Sequence, residues 1–154
     1  MDIAAKLAEL GLELPKAAAP VAAYVPVVEQ NGLLYVSGQL PFRDGQVVTG
    51  RLGDDMDVAG GQDAAQRVAL MLVAQIGQAI GGDWSRIERV VKLGVFVNSA
   101  PSFTDQAKVA NGASELFETL FGEAGCHARA AVGVAVLPLG AAVEADAIVA
   151  VKPA

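Results

Sequence analysis

The stretch HARAAVGVAVLPLGAAVEADAIVAVK, residues 127 to 152, constrains the fold more than any other part of the chain. It reads as two strands split at LPLG. In the first strand both faces are apolar: Ala131, Gly133 and Ala135 on one side, Val132, Val134 and Val136 on the other. A strand of this kind has to be covered twice, because successive side chains point to opposite faces of a sheet. The same stretch carries Arg129 near its start and Glu144 past its middle. A charge in such surroundings costs several kcal/mol unless it is paired or meets a charged ligand. The two charges therefore either reach water at strand ends or line a pocket.

The rest of the pattern supplies the partners. Asp2 can cap a short helix through Leu10, with Ile3, Leu7 and Leu10 on one face and Gly11 as its stop, followed by a linker rich in Ala and Pro. YVPVVEQNGLLYVSGQLP predicts two strands around an Asn31-Gly32 turn, and FRDGQVV a further turn and a short strand. Residues 49–61 read as a polar, Gly-rich loop. Ala65, Val68, Leu72, Ile76 and Ile80 recur at helical spacing up to Gly81-Gly82; RVVKLGVFV is a strand; a second helix is expected from Ser102 to Phe121. The order β-β-β-α-β-α-β-β predicts one α+β domain over residues 1–154, with 1–22 as an N-terminal helix and linker. Six strands form a mixed sheet with two helices on one face. Those helices cover only one side of the sheet, so a second copy of the chain is the natural cover for the other; the N-terminal helix is too short to do so alone.

Composition narrows the function classes. With 53% hydrophobic but only 5% aromatic residues, the core is built of Val, Ala and Leu. A net charge of −6, with no basic cluster, argues against nucleic acid as a partner. The single cysteine excludes an internal disulfide and suits a reducing compartment. The longest apolar run, Ala130 to Val143, is interrupted by Pro138 and falls short of the roughly 20 residues that span a bilayer. The N-terminus does not resemble a signal peptide, so the expectation is a cytoplasmic protein without membrane contact.

Arg129 is the leading candidate for chemistry, since guanidinium binds a carboxylate through two parallel hydrogen bonds. Pairing with a surface acid is the commoner role for such an arginine. Glu144 has small or apolar neighbours from Ala141 to Ala145, and a solvated strand edge would also accommodate it. Ser37 in VSGQ ends an apolar strand where a hydroxyl could meet a pocket, while Tyr24 and Asn111 are unremarkable in isolation. Cys126-His127 invites a dyad or metal reading, but adjacent strand residues point apart and no metal-ligand spacing accompanies them.

Together VSGQLP, VVKLGVFVNSAPSF, ANGASELFETLFG and HARAAVGVAVLPLGAAVEADAI resemble the RidA/YjgF (L-PSP endoribonuclease-like) family, from about Tyr24 to Val151. The resemblance implies a chorismate-mutase-like α+β sandwich, a homotrimer with sites in the clefts between subunits, and no cofactor or metal. It further implies hydrolysis of reactive 2-imino and 2-enamino acids to 2-keto acids and ammonia. By the same resemblance Arg129 binds the carboxylate, Glu144 positions or activates water, and Tyr24, Ser37 and Asn111 line the pocket. A carboxylate-binding or sensor protein without chemistry is the alternative. An endoribonuclease conflicts with the charge. The chain departs from many short members at His127, Ala131 and Gly133, where those carry Pro, Cys and Glu. It resembles the longer, less characterised branch.

Overall fold

The computed structural model describes residues 1–20 and 22–154; Val21, within the expected linker, lies outside the described residues. Helix α1, Ile3–Glu9, begins where expected: the Asp2 carboxylate accepts the amide N–H of Ala5 at 2.9 Å. Its Ile3 and Leu7 are buried in the same core as the rest of the chain, whereas Leu10, at the C-terminal end, is left largely exposed. Strands β1 (Val27–Gln30) and β2 (Leu33–Gln39) form the expected hairpin. Asn31 and Gly32 both take positive φ, 52° and 74°, as a type I′ turn requires.

The FRDGQVV segment departs from expectation. It makes β3 (Phe42–Arg43) and β4 (Gln46–Val47), which pair only with one another around Asp44-Gly45. The main sheet therefore has five strands rather than six, with a separate two-stranded ribbon. Two-residue strands on a tight turn offer too few backbone groups to extend a sheet of longer ones.

Helix α2 spans Val58–Ala79 and starts on a capping bond from Gly60 N–H to Asp57 at 2.8 Å. Residues 58–61 thus belong to the helix, and the expected loop is shorter than its 49–61 bounds. The cap chemistry of Asp57 outweighed the glycines that follow it. The loop is also anchored: Leu52 is fully buried, its N–H reaches Asn98 O and its C=O accepts from Ala100 N–H. Strand β5 (Ile87–Asn98) follows, then α3 (Gln106–Phe121), which begins after Asp105 rather than at Ser102. Strands β6 (Ala128–Val134) and β7 (Val143–Val151) complete the chain, with Pro138–Gly140 as the break between them.

The strand order is β1-β2-β7-β5-β6, antiparallel except for the parallel pair β5–β6 joined through α3. Helices α2 and α3 pack on one face, over Leu34, Val36, Val90, Leu93, Val95, Val97, Val143, Ala145, Ala147 and Val149, all of them buried. Helix α1 lies against α3 on that same side, where Lys6 Nζ donates to Leu120 O at 2.8 Å. The result is an α+β sandwich of a mixed sheet and three helices. No helix among the described residues is long and apolar enough to cross a membrane.

The second face of the sheet stays open in the single chain. Val28, Tyr35 and Val132 are 48%, 45% and 47% exposed there, and Val136, past the end of β6, is 74% exposed. The two-sided apolar character expected for residues 131–136 holds within β6, which ends at Val134 rather than Val136: Ala131 packs on the core while Val132 looks outward.

Candidate functional site

Strand β6 is an edge strand whose residues pair with β5, Arg129 opposite Leu93. Paired residues share a face, so Arg129 points to the helix side with Leu93. There α3 offers a stripe of polar groups one turn apart. Arg129 Nη1 donates to Asn111 Oδ1 at 2.9 Å and to Ser114 Oγ at 3.1 Å; Nη2 donates to the Ala107 carbonyl at 3.2 Å. All three acceptors are neutral, and among the described residues no carboxylate pairs with Arg129. The half-buried guanidinium is thus held by neutral groups alone. It also keeps donors to spare, since three of its five N–H bonds are engaged.

His127 joins the same cluster. Its Nε2 lies 2.9 Å from Ser114 Oγ and its Nδ1 2.6 Å from the Gly125 carbonyl, with the ring edge-on to Phe117. It is therefore not a companion of Cys126, which is exposed.

Glu144 lies elsewhere. On β7 it pairs with Phe96, three residues from Leu93 and so on the opposite face of the sheet from Arg129. Its carboxylate lies over Gly38 of β2: a methyl group there would sit 2.8 Å from Oε1, so glycine is what gives the side chain its place. Partial burial, and secondarily the like charge of Asp146, raise its pKa above the ordinary glutamate value of 4.5. The same face holds a hollow of about 460 Å³ lined by Tyr35, Ser37, Lys92, Phe96, Asp146 and Ile148.

Ser37 thus shares the open face with Glu144, its hydroxyl donating to Val25 O at 2.8 Å. Tyr24, next in the chain to Val25, is 46% exposed. The candidate groups therefore fall on two sides of the sheet. Arg129 and Asn111 come together on the helix side, whereas Glu144 and Ser37 lie on the open side, with β5 between Arg129 and Glu144. Ser114 escaped the sequence reading. The available signal was its spacing from Ala107 and Asn111, which places all three on one stripe of α3. Among the described residues no group of three His, Cys, Asp or Glu side chains gathers as metal ligands do.

Comparison with known proteins agrees with this architecture. The family model described as "YjgF/chorismate_mutase-like, putative endoribonuclease" matches residues 4–147. Protein TCP17 of Trypanosoma cruzi is 57% identical over 96% of this chain and 92% of its own length. A 2-iminobutanoate/2-iminopropanoate deaminase of Dermatophagoides farinae is 29% identical, covering 92% of this chain and 95% of its own. The crystal structure of Atu1372 from Agrobacterium tumefaciens, a protein of unknown function, superposes with a TM-score of 0.92 at 52% identity, covering 97% of this chain and 92% of that one.

Proposed function

The chain belongs to the YjgF/chorismate mutase-like family, and from that premise we propose that it hydrolyses reactive 2-imino and 2-enamino acids to 2-keto acids and ammonia. The observation that carries this reading is Arg129: a cation fixed on three neutral acceptors, with donors left over and, among the described residues, no acid paired with it. Such a group suits the carboxylate of a small substrate, gripped by two parallel hydrogen bonds. The name of the mite relative, a deaminase of 2-iminobutanoate and 2-iminopropanoate, supplies the chemical class.

The chemistry asks little of the protein. An imine carbon is already electrophilic, so anchoring the carboxylate and placing one water achieve much of the catalysis by proximity. Glu144 takes a proton from that water as its oxygen bonds to the imine carbon. The carboxylic acid so formed returns the proton to the nitrogen of the resulting carbinolamine; the C–N bond then breaks and ammonia leaves as the Glu144 carboxylate takes the remaining hydroxyl proton and the carbonyl forms. A carboxylate whose pKa is raised is the better base for this exchange, being closer to working pH.

Because Arg129 and Glu144 face opposite sides of the sheet, one substrate meets both only if they come from different protomers. The open apolar face supports the same reading, and the assembly proposed is a homotrimer with its sites in the clefts between subunits. Tyr24, Ser37 and Asn111 line those clefts. Cleavage of RNA fits poorly with a net charge of −6.

The test is ammonia and keto-acid release from 2-aminoacrylate generated in situ, together with calorimetry of pyruvate or 2-oxobutyrate binding. Arg129→Lys keeps the charge and loses the fork, so Kd should rise by at least about tenfold, the loss of a charge-assisted hydrogen bond. Unchanged binding in the lysine variant removes Arg129 from the role. Keto-acid binding without ammonia release would make the protein a carboxylate binder instead.

A further inference from the structure

We propose that His127, acting through Ser114, is a positioning residue for the Arg129 guanidinium. The direction of each hydrogen bond follows from the chemistry of the groups. The Gly125 carbonyl can only accept, so Nδ1, 2.6 Å away, carries the proton. In the neutral ring Nε2 is then bare, and the Ser114 hydroxyl, 2.9 Å from it, donates. That turns the lone pairs of Ser114 Oγ toward Arg129, whose Nη1 donates at 3.1 Å.

The four groups form a one-way chain: Arg129 Nη1–H to Ser114 Oγ, Ser114 O–H to His127 Nε2, His127 Nδ1–H to the Gly125 carbonyl. Without His127 the hydroxyl is free to turn to the helix carbonyl four residues back, the usual alternative for a serine inside a helix. Its grip on Nη1 then loosens, and Asn111 alone holds that nitrogen. Phe117, buried and edge-on to the imidazole, keeps the ring from rotating out of line. Because Arg129 sits on an edge strand, it has no second strand beside it to restrict its swing. The polar stripe of α3 and His127 supply that restriction. His127 touches neither substrate nor the reacting atoms. It contributes to catalysis only through Arg129, and so only if Arg129 binds the substrate carboxylate.

The experiment compares Ser114→Ala, His127→Leu and His127→Gln, each alone and combined with Arg129→Lys. It measures Kd for pyruvate, KM and kcat for imine hydrolysis, and stability in urea. Ser114→Ala and His127→Leu should each weaken binding roughly fivefold, as loss of one ordinary hydrogen bond does. KM should rise with kcat nearly unchanged, since carboxylate binding is common to ground and transition states. His127→Gln, whose Oε1 can take the hydroxyl proton, should recover most of the loss. In the Arg129→Lys background, Ser114→Ala and His127→Leu should add nothing further. A purely structural role would instead give the same loss in both backgrounds and no rescue by Gln, and either result overturns the proposal. Should His127→Leu fail to fold, Ser114→Ala, which removes one oxygen, decides alone. If the wild type binds no keto acid, the substrate reading has failed separately. Coupling is then read from urea unfolding of Ser114→Ala and Arg129→Met, singly and together: non-additive losses support the chain of bonds and additive ones overturn it.

Discussion

At the scale of single residues, Glu144 shows how environment sets chemistry. Its carboxylate rests over Gly38 on the open face of the sheet, and desolvation there disfavours the charged form, with Asp146 adding a like charge. The sign follows directly. A carboxyl group whose pKa is raised by folding favours the native state below its ordinary value of 4.5, and that contribution is lost as pH rises through the folded value. Glu144→Gln should therefore leave the protein more stable than the wild type at pH 7, with the difference shrinking toward pH 4, in chemical unfolding followed at both pH values. The same substitution removes the base, so imine turnover should fall by roughly 10²–10⁴ while keto-acid binding survives. Intact turnover would remove Glu144 from the mechanism. A stability difference independent of pH would remove the desolvation account of its pKa.

At the scale of elements, the crossing of α2 and α3 decides where the Arg129 stripe lies. The two helices meet at Gly61 and Gly112. A methyl group on Gly112 would come within 2.1 Å of the Gln62 backbone carbonyl, and one on Gly61 would strike Leu52 and Val109. Backbone cannot yield as a flexible side chain can, so Gly112→Ala must push the helices apart. It should destabilise the protein by about 1–3 kcal/mol or more, against the small gain alanine gives in an unobstructed helix. Urea unfolding measures this, and a neutral or stabilising result would mean that the crossing tolerates more space than the contact allows. Since Asn111 precedes Gly112 and Ser114 follows it, the variant should also weaken pyruvate binding.

At the scale of the whole molecule, the opposite placement of Arg129 and Glu144 has a direct consequence. The proposed site is incomplete in one protomer, so activity should require self-association, and sedimentation at micromolar concentration should show a trimer. At substrate concentrations well below KM, Arg129→Met and Glu144→Gln should each be nearly inactive, yet after co-refolding their mixture should regain a measurable part of the wild-type turnover. In every mixed trimer one cleft then combines an intact arginine from one chain with an intact glutamate from another, while a second cleft has lost both. A stable, fully active monomer, or no recovery in a verified hetero-oligomer, would rule out the shared site.

Local chemistry was enough to read most elements from the sequence. Asp2 caps a helix, Asn31-Gly32 turns a hairpin, and the spacing of Val68, Leu72 and Ile76 places α2 against the sheet. Each of these depends on neighbours a few residues away, and the sequence lists those neighbours in order. The apolar character of both faces in residues 131–136 was equally plain, because strand alternation needs no partner to be stated. Arg129, Glu144 and Ser37 could be singled out too, and Asn111 through the family resemblance alone, but not the side of the sheet each would face. That depended on pairing: Arg129 opposite Leu93 and Glu144 opposite Phe96 through a shared central strand. The bonds from Arg129 through Ser114 to His127 likewise required a helix and an edge strand to meet. So did the glycines at the helix crossing, where the obstructing atom is a carbonyl 50 positions away in the chain. Sequence determined which segments form and which residues are charged, since those are local preferences; only tertiary structure decided which groups meet, because long-range register and packing fix distances that no local preference contains.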